Sequence, residues 1–146
     1  MTKGDTFEND LLKLIFNNTA AALIGDASGL QPSAAAGSLY VSLHTGDPGE
    51  AGAQTTSELA YTQYSRIGVT RTSGGWTVTN NTVVPVATIG FPAMSSGAGG
   101  TVSYFAVGTA ASGAGKILYS GTVSPSIAVA NGVTPQLTTA TQISED

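Results

Sequence analysis

The only histidine of the chain, His44, stands three residues before Asp47 in the run LYVSLHTGDPGEAG, residues 39–52. A histidine with a carboxylate to orient its ring and a hydroxyl to activate is the constellation of nucleophilic hydrolysis. The local spacing argues for something simpler. Asp47 precedes Pro48 and is held extended, Pro48 presets φ at the second position of a turn, and Gly49 supplies the positive φ of a type II turn. The sequence therefore predicts that a strand ends near His44, on its polar face, and that Asp-Pro-Gly reverses the chain. Serines and threonines are so frequent here that a hydroxyl near His44 carries no information.

Other chemistries fare no better. Asp47, Glu50 and Glu58 are the only carboxylates near the histidine, without EF-hand spacing, and read as solvated loop acids rather than calcium ligands. No metal site is expected. The acids lie in the N-terminal segment, in the 47–58 loop and at the C-terminus, so no pair is placed in a strand for glycoside cleavage. The glycine-containing stretches GSLYVSLHTG and SGAGKILYSG match neither a Walker loop nor a dinucleotide fingerprint, because no helix follows them. Arg66 and Arg71 are five residues apart and would point to opposite faces of a strand, which rules out a basic patch. Tyr61, Tyr64 and Trp76 could stack a sugar, although rings at such positions more commonly fill a core. With no convergent titratable groups, neither an enzyme nor a cofactor is expected.

Composition narrows the partners. The 146 residues are 41% hydrophobic and 10% charged, against roughly 25% charged in an ordinary soluble domain. Five basic residues against nine acidic ones, a net charge of −4, leave no electrostatic footprint for nucleic acid. The absence of cysteine excludes a disulfide scaffold, a thiolate zinc site and a cysteine nucleophile. Asp5, Glu8 and Asp10 occupy the place of a signal peptide's basic region, and no stretch approaches the roughly 18 apolar residues of a membrane span. Between Thr72 and Ser144 the only charge is Lys116. Like-charge repulsion normally keeps small domains apart, so this neutral half is expected to associate.

The elements follow from periodicity. A helix is expected from residue 6 to about 24, with Asp5 as N-cap, Glu8 as its capping-box partner and Gly25 as the stop. Leu12, Ile15, Phe16, Thr19 and Leu23 share one face, widened by Phe7, Leu11 and Leu14. That stripe must be covered, either by the helix's own domain or by a neighbouring subunit. Residues 26–38 form a small-residue linker, after which the period changes from 3.6 to 2. Residues 1–38 thus read as a helix and linker, a docking arm, and residues 39–146 as an antiparallel β-sandwich of seven to nine strands, with a jelly roll as one form of it. SGG at 73–75 should turn one strand into WTVTN, residues 82–91 should supply the next, and Asn131-Gly132 should join two strands in a hairpin.

The run LYVSLHTGDPGEAGAQTTSELAYTQYSRIGVTR, with GGWTV, Phe91-Pro92, VSYFAVGTAASGAGKILYSGTV and NGVTP, resembles a group of small virion proteins of tailed bacteriophages. Members are often labelled tail fibre proteins, and similar small β-sandwich proteins decorate phage heads. LHTGDPGEAG and GTAASGAGKILYSG carry the resemblance most specifically. It implies a structural protein made in the host cytoplasm and assembled in many copies on the virion, on the capsid surface or the tail, and it brings no catalytic residues. The first expectation is a capsid decoration or cement protein, a homotrimer that clamps the major capsid protein. The alternative is a tail fibre or receptor-binding module, which would expose aromatics in loops. The stripe at Leu11, Leu12, Ile15 and Phe16, or the linker after it, is the expected docking arm.

Overall fold

A computed structural model describes residues 2–146. One helix, α1 (Asp5–Asn17), is followed by β1 (Ser38–His44), β2 (Ile67–Thr70), β3 (Trp76–Thr79) and β4 (Thr82–Pro85). Then come β5 (Ile89–Gly90), β6 (Gly100–Gly108), β7 (Ile117–Val129), β8 (Gln136–Leu137) and β9 (Ile143–Ser144). The protein is mainly β, with antiparallel pairing and one N-terminal helix, as its periodicity predicts. The chain divides into two compact units. Ser38, where the sequence places a boundary, is where the first unit passes into the second, but the first unit also takes in Val69–Thr88 and Thr138–Asp146.

In the first unit α1 packs against β3 and β4, and the sheet order is β3-β4-β9. Leu12, Phe16, Ala21, Trp76, Val83 and Ile143 are its interior. Phe16 sets the edge of its ring on Trp76, with centroids 5.0 Å apart and planes at 68°, the arrangement that the ring quadrupoles favour. The helix is shorter than expected. Asn18 takes the left-handed conformation at φ 53° and ends it at Asn17, a role in which asparagine is second to glycine. Gly4 is the N-cap, and Asp5 lies inside the first turn without a side-chain capping bond.

The second unit holds Leu39–Gly68 and Ile89–Leu137. Its main sheet holds β1, β6 and β7 side by side in that order, and β5 pairs with β8 in a separate short ladder. Leu39, Val41, Leu43, Leu59, Phe91, Val102, Phe105 and Val107 are buried in it. The turns were legible, but two of the predicted partners differ. SGG at 73–75 does lead into β3, yet β3 pairs with β4 across Asn80-Asn81, where Asn80 has φ 53°. Asn131-Gly132 does turn the chain, with Gly132 at φ 85° and Val133 N–H bonded to Ala130 O at 2.9 Å. The strands either side of it go to β6 and β5 instead of to each other. Residues 82–91, read as one strand, break into β4 and β5.

Candidate functional site

His44 ends β1, as the turn chemistry predicts, but it does not face solvent: it is 0% exposed, as is Ser42 two residues before it. The segment 56–59 accounts for the burial, since Thr45 N–H bonds Ser57 O and Leu59 N–H bonds Leu43 O, both at 2.8 Å. His44 Nδ1 lies 2.8 Å from Thr56 O, and Nε2 lies 2.9 Å from the Ser42 hydroxyl. A carbonyl only accepts, so Nδ1 carries the proton and Ser42 donates to Nε2. This is the order of donors in a hydrolytic dyad, sealed inside the fold where no substrate reaches it. Burial pushes the imidazole below its ordinary pKa, against the opposing effect of the Thr56 bond, so the ring is a neutral structural group.

Beside it Glu58 and Arg66 form a second buried pair. Arg66 Nε and Nη2 donate to the two Glu58 oxygens at 2.7 and 2.8 Å, while Nη1 and Nη2 also reach Ala110 O and Gly113 O at 2.9 and 2.8 Å. The Tyr64 hydroxyl donates to Glu58 Oε1 and accepts Leu43 N–H, each at 3.0 Å, and burial raises the phenol's pKa. Gln54, also 0% exposed, gives its backbone N–H to Gly115 O and takes Ala110 N–H on its side-chain oxygen. A Cβ at Gly108 would stand 2.2 Å from Gln54 Cδ, and one at Gly115 2.2 Å from its Oε1, so both positions require glycine. These bonds pin residues 45–58 to residues 109–116. The two stretches that carry the phage resemblance, LHTGDPGEAG and GTAASGAGKILYSG, are thus brought together through one buried polar network. Asp47 serves its own turn, accepting Gly49 N–H at 2.9 Å with Gly49 at φ 70°.

The remaining candidates are placed as follows. Leu12 and Phe16, expected at a docking surface, are 0% exposed in the interior of the first unit, because α1 turns that face to Trp76 and Val83. Leu11 and Ile15 are half-buried. Arg71 works on the same helix: its guanidinium donates to Ile15 O at 2.6 Å and Leu14 O at 2.7 Å, and to Ser33 Oγ and Ala36 O at 3.2 Å. It satisfies the last carbonyls of a helix that has no basic residue in its final turn. Both arginines are spent on carbonyl cages. Tyr61 and Trp76 are core residues at 8% and 2% exposure, Tyr64 is bonded as above, and these three rings offer no stacking platform.

What the sequence did not single out is the loop after α1. Ala21 and Leu30 exchange N–H and C=O at 3.0 and 2.8 Å, and Asp26 accepts Ser28 and Gly29 N–H inside the loop. At its tip Leu23 is 81% exposed with φ 64°, and Ile24 and Leu30 are 37% and 44% exposed. A left-handed leucine turned to water is doubly unfavourable. Among the described residues Phe7 and Val86 complete the exposed large hydrophobics, and all five belong to the first unit.

The family model described as podophage GP4 fiber I protein gp80 matches residues 3–144. No curated protein matches the chain. With nearly its whole length covered, the chain belongs to the podophage fiber I protein family and is a small structural protein of a phage virion, of the kind labelled fibre.

Proposed function

We propose that this protein is a non-enzymatic packing component of a podophage fibre, held to copies of itself and to other virion proteins through the loop at residues 20–33. The observation that carries the reading is the exposed apolar triad Leu23, Ile24 and Leu30 on a loop closed by its own hydrogen bonds. Burying apolar surface yields about 25 cal/mol per Å² before association costs. A loop already ordered has less conformational entropy to lose on docking. The charge-poor stretch from Thr72 to Ser144 removes repulsion between copies, in keeping with the trimer expected from the sequence. The sealed Ser42–His44 dyad offers no chemistry to a substrate. Stacking recognition of a host glycan has little support, since among the described aromatic side chains only Phe7 is exposed, and it lies on α1.

The test is incorporation. Phage carrying Leu23→Asp with Ile24→Asp should yield particles that lack the protein, while the purified double variant keeps its β-rich circular dichroism. Labelled wild-type protein should appear on the fibre in micrographs; label over the head shell would favour the cement reading instead. Incorporation of the double variant at the wild-type level would refute the loop as the attachment point.

A further inference from the structure

In the second unit β7 is the outermost strand of the row β1, β6, β7, and among the described residues no strand pairs with its far side. The register tells which backbone groups face outward. Leu43 N–H donates to Tyr64 Oη at 3.0 Å and Leu59 N–H donates to Leu43 O at 2.8 Å, so the backbone of Leu43 points away from β6. Its partner Phe105 therefore turns its own N–H and C=O to β7, where it meets Gly121. Alternation then directs the N–H and C=O of Ser120 and Thr122 outward, and both residues are exposed. This edge has a stop at either end. At one, Ala53 forms a bridge with Lys116. At the other the register slips, Tyr104 pairing with Thr122 but Val102 with Ile127, and Pro125, which has no N–H, lies in the slack. Lysines, prolines and bulges are the devices that keep edge strands from pairing. Here they flank residues 117–122, which hold neither a charge nor a proline. The covering layers also stop one strand short: Phe105, Ala106 and Val107 on β6 are buried, whereas Ile117 and Leu118 on β7 are half-buried.

We propose that this edge is an interface between two copies of the chain, β7 adding antiparallel to β7 of a second copy about a two-fold axis at Ser120. Charge selects that arrangement. Lys116 is the one cation beside the edge, and antiparallel pairing about Ser120 sets the two copies of it about 27 Å apart along the strand, at about 3.4 Å per residue. That exceeds the Debye length of about 8 Å, whereas parallel pairing would set the two ammonium groups side by side. An edge without charge has no opposite charge to seek in a different protein, but it fits itself. Ser120 exchanges both outward backbone bonds with its own copy, and Thr122 faces the start of the partner strand. The partner strand also covers Ile117 and Leu118, which adds apolar burial to the ladder. A two-fold contact uses the same surface twice and closes after two copies. It takes no residue from the 20–33 loop and is independent of the attachment proposed above.

The experiment is sedimentation equilibrium of the full chain carrying Leu23→Asp with Ile24→Asp, which takes the loop contact out of the measurement. The mass should be twice that of one chain at high concentration and fall towards that of one chain on dilution. Adding Ser120→Pro, which removes an N–H that β6 does not use, should halve the mass while the β-rich circular dichroism is kept. Ser120→Lys and Ser120→Glu keep the test decisive if the proline variant fails to fold. Each places like charges opposite one another across the axis and should lose the dimer alone, whereas an equimolar mixture of the two should recover the twofold mass. A chain that is monomeric at every concentration would overturn the proposal, whether the edge then stays bare or takes a strand of another virion protein. A dimer that survives Ser120→Pro in folded protein, or survives like charges at residue 120, would overturn it as well.

Discussion

Arg66 and Glu58 meet as a two-toothed pair, Nε to Oε1 at 2.7 Å and Nη2 to Oε2 at 2.8 Å, with the arginine side chain 3% and the glutamate 15% exposed. The same guanidinium holds Ala110 O and Gly113 O. It therefore fixes the 109–116 loop as well as neutralising a charge. Only a planar fork does both, since an ammonium group offers no paired donors in one plane.

Removing one partner strands the other. Arg66→Ala should destabilise the protein by about 3 to 5 kcal/mol, as for other broken buried pairs. Arg66→Lys should recover part of that loss, and a combined Glu58→Gln, Arg66→Met variant should be more stable than Arg66→Ala alone. Urea unfolding of the three variants measures the order. Equal stability of Arg66→Ala and wild type would mean that the pair is effectively solvated.

His44 gives the fold a pH dependence of known sign. Its folded pKa lies below the unfolded value of 6.5 because burial disfavours the imidazolium. The unfolded chain therefore takes up the proton first, and stability falls as pH drops below about 6.5 towards the folded value, while it is level above. His44→Gln, which keeps a donor for Thr56 O but does not titrate, should be less stable near neutrality and should lose part of the decline that sets in below about pH 6.5. Tm against pH for both proteins tests this; parallel curves would exclude His44 as the source.

Arg71 makes its own prediction. Four bonds from one guanidinium close the end of α1 and hold Ser33 and Ala36. Arg71→Met should cost about 2 to 4 kcal/mol, since charge-assisted bonds are lost and helix carbonyls are left without partners. Trp76, the only tryptophan, sits in the same unit against Phe16. Its emission should shift to the red at lower urea in the variant. An unchanged midpoint would show that water replaces the guanidinium without loss.

Trp76 carries a contrast. Its Nε1 is buried without a hydrogen-bond partner. Trp76→Phe gives up a donor that contributes nothing, so the loss should stay below about 2 kcal/mol, a packing loss alone. Leu12→Ala, which opens a cavity beneath the same helix, should cost about 2 to 5 kcal/mol. Calorimetric unfolding separates the two; a larger loss for Trp76→Phe would mean that Nε1 has a partner in solution.

How far the sequence carried these conclusions differs by region. The change of period at residue 38, the Asp-Pro-Gly turn and the Asn-Gly turn are local chemistry, and they stand in the structure. Most strand partners are not local: Val41 pairs with Val107, and Gln136 with Gly90, choices made by tertiary packing that no short window contains. The alternation of Ser42 and His44 with Leu43 predicts a polar face, and it is polar, but the 56–59 segment covers it, so polarity did not mean exposure. Of the expected stripe, Leu12 and Phe16 on α1 are buried within their own unit, whereas Phe7 is exposed. Asn18 was the missed signal: it stops the helix early and frees Leu23 from the stripe to stand at the tip of a loop.

Whether this protein is a stoichiometric part of the particle that acts through contact alone is measured directly on gradient-purified virions, quantified by mass spectrometry against the major capsid protein. A fixed copy number per particle, lost on Leu23→Asp with Ile24→Asp and unaffected by Ser42→Ala, is the expected result. Wild-type protein found only in the soluble fraction of the lysate, or a hydrolytic activity abolished by Ser42→Ala, would contradict it.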